Sequence, residues 1–232
     1  MELVLIPGFW LDGDSWGPVT ADLRAAGHHV HPLTLPGMES RDADRSSITL
    51  RDHVEAVIAV VDELPDPVVL VGHSGGGAIA WAVADARASG IARVVFVDSG
   101  PLGNGNVIND ELPVVDGEMP LPEWSVFEAE DLVDLDDALR EHFIAIAIPE
   151  PAQVASDKQV LSDPRRYEVP ATVICCEFST ELMRSWLAGG HPFVAELAAI
   201  KDYELVDLPT GHWPQFTKPA ALAAVIRAAV ER

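Results

Sequence analysis

Ser74 sits in Gly72-His73-Ser74-Gly75-Gly76, after the apolar, β-branched run Val68-Val69-Leu70-Val71 and before a small-residue segment with helical character. A buried strand, one sharp turn carrying a serine, then a helix is the sequence form of a nucleophile elbow. The turn takes glycine on both sides because the serine backbone is strained and flanking side chains would clash. The competing reading is a Gly/Ser-rich strand–helix turn without chemistry, and the flanking elements weigh against it. A serine hydroxyl is a poor nucleophile near neutral pH, so it needs a base within hydrogen-bond reach and a third group to orient that base. His212 is the base on offer. It lies late in the chain, in the loop Thr210-Gly211-His212-Trp213-Pro214, directly after a strand-like run. The other histidines fit less well. His28, His29 and His31 open a strand, His53 and His142 fall on predicted helices, His73 should point away from the nucleophile, and His191 begins a helix at the pocket edge at most.

These residues must be positioned by alternating strands and helices. Leu3 to Ile6 reads as a strand buried on both faces, closed by Pro7-Gly8. Asp14 or Ser15 can cap the next helix, with Pro18 in its first turn and Gly27 at its end. His28 to Leu35 is a second strand. Ser46 to Asp52 leads into a helix through Leu64, with Val54, Val57, Ile58 and Val61 at helical spacing. The elbow strand spans Val68 to Val71, its helix Gly75 to Ser89, and Ala92 to Asp98 is another buried strand. From Ser99 to about Glu168 the alternation stops. This stretch is rich in Pro, Asp and Glu, with one helix-like segment around Asp131 to Ile148. It reads either as a solvated insertion or as a cap over an active site, and long loops in compact domains favour the cap. Alternation resumes with a strand over Ala171 to Cys176, helices near Thr180–Leu187 and Pro192–Ile200, a last strand over Glu204 to Leu208 and an amphipathic helix from Pro219 to Val230. The expected fold is α/β, a mostly parallel sheet with helices on both faces. Its core is residues 1–98 and 169–232, and the insertion is residues 99–168.

The 232 residues fit one such domain, and a hydrophobic fraction of 48% suffices for its core. The formal net charge of −22 argues against nucleic acid and anionic membranes as partners. No basic leader with an apolar core precedes the first strand, and no apolar run approaches the ~20 residues of a membrane span. Cys175 and Cys176 are adjacent on a strand and point to opposite faces, so they do not read as an ordinary disulfide. A cytoplasmic location is expected. No His, Cys or acidic spacing matches a metal site, and no glycine-rich loop has a nucleotide pattern, so no metal and no cofactor is expected.

Val4-Leu5-Ile6-Pro7-Gly8-Phe9-Trp10, Gly72-His73-Ser74-Gly75-Gly76 and Gly211-His212-Trp213-Pro214 together resemble the α/β-hydrolase superfamily. Its compact, cofactor-free esterases, including the methylesterase and hydroxynitrile lyase relatives, are the most similar group. The resemblance implies an oxyanion hole made by the backbone N–H of Gly75 and that of Phe9 or Trp10. It also implies a carboxylate, which in most relatives is an Asp in the loop after the strand matching Ala171–Cys176. Here that loop reads Glu177-Phe178-Ser179-Thr180-Glu181, with Ser179 at the Asp position. Asp98 is the first candidate, because haloalkane dehalogenases take their acid from the corresponding strand end. Glu177 and Glu181 are the alternatives. The expected activity is hydrolysis of a carboxylic ester or thioester of a small, apolar molecule, by a monomer or homodimer. Lactone, C–C or cyanohydrin cleavage and a non-catalytic ligand-binding role are the alternatives. Trp10, Trp124, Phe193 and Trp213 are the candidate pocket aromatics.

Overall fold

The β-branched apolar runs at Leu3–Ile6, Val68–Val71, Val94–Val97 and Thr172–Ile174 become strands, while the alanine-rich apolar run Ala78–Ala84 and the amphipathic segments become helices. The computed structural model describes residues 1–65 and 67–232. The chain runs β1 (Glu2–Ile6), α1 (Gly17–Ala25), β2 (His29–Pro32), α2 (Leu50–Glu63), β3 (Val68–His73), α3 (Gly75–Ala86) and β4 (Ile91–Val97). An insertion follows, holding β5 (Glu118–Met119), α4 (Asp137–Ile146), β6 (Glu150–Pro151) and α5 (Ala152–Ser156). The chain then resumes with β7 (Ala171–Cys175), α6 (Thr180–Gly189), α7 (Ala195–Ala199), β8 (Tyr203–Asp207), α8 (Pro214–Thr217) and α9 (Pro219–Val230).

Six strands form one sheet in the order β2-β1-β3-β4-β7-β8, and all five pairings are parallel. Strand side chains alternate between faces, which divides the core in two. Leu3, Leu5, Val69, Val71, Val95 and Val97 pack with Val19 and Leu23 of α1 and Leu222 and Ile226 of α9. Val4, Ile6, Leu70 and Phe96 face the opposite way, toward α2, α3 and the insertion. The insertion is therefore no solvated loop. Its Met119, Leu135, Phe143, Ile148 and Val154 are buried in the same cluster as the sheet. Cys175 and Cys176 are free and buried, and burial pushes the Cys175 thiol up to about 12, so it stays an inert thiol. Among the described residues, no helix is long and apolar enough to cross a membrane.

The differences from the sequence reading sit at element ends. The second strand stops at Pro32, on the edge of the sheet, where a missing N–H is tolerated. The elbow helix ends at Ala86, and Ala88–Gly90 forms a 3-10 turn instead of a further helical turn. Pro192 to Ile200 splits into a 3-10 turn and the short α7. The helix expected from Asp131 starts only at Asp137, where the Asp136 side chain accepts from Leu139 N. Residues before it are held by other bonds, described below. β5 and β6 pair antiparallel within the insertion, and strands this short leave no periodic signal.

Candidate active site

The parallel sheet brings one residue after another to its C-terminal edge, where open α/β sheets bind ligands. Gly8 and Phe9 follow β1, Ser74 follows β3, Asp98 follows β4, Glu177 follows β7 and His212 follows β8. The elbow is tight. A Cβ on Gly72 would lie 2.4 Å from the Gly76 carbonyl oxygen, and one on Gly76 would lie 2.5 Å from the Ile6 and Pro7 oxygens. These glycines let strand, turn and helix close on each other, and Ser74 itself is forced to φ 51°. Five non-glycine residues among those described have left-handed backbone, and three of them are Trp10, Ser74 and Asp98. Such conformations cost roughly 1–3 kcal/mol each and persist only where the surroundings enforce them.

His212 lies between Ser74 and Asp98. Its Nε2 is 2.9 Å from Ser74 Oγ and its Nδ1 is 2.7 Å from Asp98 Oδ2. Asp98 is fully enclosed, and its other oxygen, Oδ1, accepts from the backbone N–H of Cys176 (2.8 Å) and Glu177 (3.2 Å). Both oxygens thus meet N–H groups, so the neutral His212 ring donates from Nδ1 to Asp98 and accepts from the Ser74 hydroxyl at Nε2. Glu177 stands second, with Oε2 3.4 Å from the same Nδ1. Glu181, the other candidate acid, is exposed in the first turn of α6, where its charge complements the helix N-terminus. Burial alone would lower the His212 pKa. The Asp98 carboxylate, followed by Glu177, outweighs it and pushes the value up to about 10. Asp131 of the insertion joins this group. Burial and the adjacent Glu177 carboxylate push it up to about 6.

Two supports of the histidine loop had no local sequence signal. His73 lies behind the elbow, with its Nε2 donating to the His212 carbonyl (2.7 Å) and its Nδ1 facing the Gln215 amide (3.3 Å). Burial holds it neutral, lowered to about 3. On the other side, the insertion backbone grips the loop directly. His212 N donates to the Asp131 carbonyl (2.8 Å) and Gly211 N to the Val133 carbonyl (2.9 Å). A Cβ at position 211 would fall 2.2 Å from the Asp131 oxygen, so this approach requires glycine.

The loop after β1 is packed onto Ser74. A Cβ on Gly8 would come 2.9 Å from Ser74 Cβ, and the Phe9 ring lies over Gly75. Neither the Phe9 nor the Gly75 amide has a hydrogen-bond partner among the described residues. The Trp10 amide differs, because it donates to Glu150 Oε2 at 3.3 Å. Of the two candidates after β1, Phe9 therefore retains the free N–H.

Ser74, Gly75, Asp98 and His212 open into a cavity of about 970 Å³, with Leu102, Val107, Ile108, Phe178, Pro192 and Phe193 among its walls. Phe193 lies at the mouth and is 53% exposed. Trp10, Trp124 and Trp213 do not line it. Trp213 is buried against Phe127 and Phe143, with ring centroids 5.2 Å away in each case, and Trp124 packs on it at 5.8 Å. Trp10 meets the same cluster through Phe127. These side chains fasten the insertion to the core. Arg166 is the one cation of the wall, and Asp85 (3.1 Å) and Glu196 (2.8 Å) neutralise it.

Asp98, Glu177 and His212 are also the one cluster among the described residues compact enough to ligate a metal. An ion there would occupy Asp98 Oδ2 and His212 Nδ1, the two atoms of the 2.7 Å Asp98–His212 bond, so these residues cannot ligate a metal and keep that bond at once.

Residues 3–225 match the profile described as the alpha/beta hydrolase family. A carbendazim hydrolyzing esterase of Nocardioides sp. (strain SG-4G) is 35% identical over 114 residues, covering 48% of this chain and 47% of that protein, so the matched stretch spans about half of that relative. Lipase LipV of Mycobacterium tuberculosis (strain ATCC 25618 / H37Rv) is 29% identical over 231 residues, covering 86% of this chain and 84% of that one. Among solved structures, an extracellular alpha/beta-hydrolase from a Paenibacillus species superposes with a TM-score of 0.79 at 22% identity, covering 99% of this chain and 98% of that chain. At that identity the likeness is one of fold.

Proposed function

The chain belongs to the alpha/beta hydrolase family, and we propose that it is a serine hydrolase of small, uncharged carboxylic esters or thioesters. The observation that carries this reading is the relay Asp98 Oδ2–His212 Nδ1 (2.7 Å) and His212 Nε2–Ser74 Oγ (2.9 Å) at the floor of a large cavity. Ser74 Oγ attacks the ester carbonyl carbon while His212 Nε2 takes its proton, and Asp98 steadies the imidazolium that forms. The Gly75 and Phe9 amides bind the oxyanion. Such a donor typically contributes ~3 kcal/mol to the transition state. The adduct collapses, His212 protonates the leaving alcohol or thiol, and a water activated the same way releases the acid and regenerates Ser74.

The wall chemistry supports an apolar substrate. Its one arginine is already paired with Asp85 and Glu196, so an anionic acyl group would find no free basic side chain there beyond His212 itself. Residues 99–168 act as the cap, with Leu102, Val107 and Ile108 forming one side of the substrate space and residues 1–98 and 169–232 the core. A reducing, cytoplasmic location completes the reading, supported by the two free buried thiols.

The test is fluorophosphonate labelling together with turnover of a panel of p-nitrophenyl esters from acetate to decanoate. The expected result is one labelled serine and hydrolysis of neutral esters, both lost in Ser74→Ala. An unlabelled wild type, or a Ser74→Ala variant with full activity, overturns the assignment.

A further inference from the structure

We propose that Glu150, on β6 of the insertion, is a positioning residue that sets the oxyanion donor Phe9 by clamping the main chain of Trp10. The inference rests on the serine-hydrolase reading above.

Trp10 is the residue after Phe9 and is held at φ 66°, a conformation that a tryptophan does not choose unaided. Three bonds impose it, all from the insertion. Trp10 N donates to Glu150 Oε2 (3.3 Å), Trp10 O accepts from Ile148 N (2.9 Å), and Trp10 Nε1 donates to the Met119 carbonyl (3.0 Å). Ile148, Glu150 and Met119 belong to one unit, since β5 and β6 pair Met119 with Glu150. The peptide joining Phe9 to Trp10 is thus anchored on its far side by β5 and β6. On its near side, Gly8 rests on Ser74. With both ends fixed, the Phe9 N–H keeps one direction. The clamp also occupies the Trp10 N–H, which would otherwise compete for the oxyanion.

The surroundings of Glu150 indicate how it does this. It is 3% exposed, an unusual place for a carboxyl group. His53 of α2 donates from Nε2 to the Pro36 carbonyl (2.9 Å), which leaves its Nδ1 as a bare acceptor 3.9 Å from Glu150 Oε1 and without another partner. Arg45 is the nearby cation; its Nη1 is committed to Glu118 Oε1 (3.0 Å) and to backbone carbonyls, and its buried Nε makes no hydrogen bond, to Glu150 or to any other described residue. Burial pushes Glu150 up to about 8, against the Trp10 N–H and Arg45, and lowers His53 to about 4. The pair is therefore neutral near pH 7. One Glu150 oxygen accepts from Trp10, and the other carries a proton facing His53 Nδ1. A glutamine has the same acceptor and donor in the same shape, so the clamp does not require charge.

The experiment compares Glu150→Gln, Glu150→Leu and Glu150→Asp in the full-length enzyme on a p-nitrophenyl ester. Turnover is normalised to Ser74 sites counted by fluorophosphonate titration, so that misfolded enzyme does not register. Glu150→Gln should keep kcat within about threefold of wild type. Glu150→Leu should lose about 10–100-fold in kcat with KM nearly unchanged, as expected for an interaction made in the transition state. Inhibition by a trifluoromethyl ketone, whose adduct carries an oxyanion, should weaken by the same factor, while binding of the product alcohol stays constant. If Glu150→Leu does not fold, Glu150→Asp, one methylene short of Trp10, must show the same split. Wild-type kcat per site in Glu150→Leu or Glu150→Asp overturns the proposal, as does a rise in KM alone. A Ser74→Ala variant that stays active instead removes the hydrolase reading beneath it, so the two failures are distinguishable.

Discussion

The sheet and the insertion meet the same site by different means. The sheet presents each candidate catalytic group in a loop after a strand: Gly8–Phe9, Ser74 and Asp98 follow strands with a parallel neighbour on either side, and His212 follows the edge strand β8. The insertion holds two of those loops from behind, with the carbonyls of Asp131 and Val133 accepting from the histidine loop, and the Ile148 N–H, the Glu150 carboxyl and the Met119 carbonyl bonded to Trp10 in the loop after β1. On the proposed mechanism the sheet decides which reaction is possible, and the insertion decides how well the parts are aimed. Changes to Ser74, His212 or Asp98 should then abolish most turnover, and changes in the insertion should grade it.

Ser74→Ala is the extreme on the sheet side. Its kcat/KM should fall by at least about 10³–10⁴-fold with the fold intact by circular dichroism. Asp98→Asn comes next, with a loss of roughly 10²–10⁴-fold, because the amide can fix the wrong His212 tautomer. Glu177→Gln should cost less than about tenfold. Equal losses at the two positions would erase the distinction between the orienting carboxylate and its neighbour. Gly211→Ala strikes where the two regions touch. The added Cβ collides with the Asp131 carbonyl, so kcat should drop about 10–100-fold and stability by about 1–3 kcal/mol in urea titration. Full activity there would show that the insertion does not aim the histidine.

A pH series sharpens the comparison further. His212 must be neutral at Nε2 to accept the Ser74 proton, and its pKa is raised to about 10. The free-enzyme profile of kcat/KM should therefore still be rising in the alkaline range. Glu177→Gln removes one negative neighbour, so the limb should move to lower pH by about one unit. Phe193→Ala has the smallest expected effect. It should raise KM a few-fold for long-chain esters, leave kcat for the acetate unchanged, and leave the relay intact.

The elbow and the histidine loop were legible because their signals are local. A strand, a serine between glycines and a helix follow each other in sequence, and so do Gly211 and His212. The carboxylate was legible only as a ranking, with Asp98 first and Glu177 and Glu181 as alternatives, because what separates them is distance across the β4–β7 pair, together with the two backbone N–H groups that grip Asp98. The aromatics misled for a related reason. Trp10, Trp124 and Trp213 look like pocket walls in a sequence, but large apolar side chains beside a site serve equally well as the seam between two layers, and here they do. Glu150 carried no signal, since an acidic residue in an acidic stretch reads as solvated until its burial is known.

That aromatic seam bears on how such proteins can be recombined. Phe143 is completely enclosed against Trp213, one residue beyond His212, so the insertion is not a detachable module. A chimera carrying a foreign insertion would leave a phenyl-sized hole against Trp213, next to His212, unless the donor brought its own plug. Among homologues, the residues at 143 and 213 should consequently change together, as a matched pair passed between lineages.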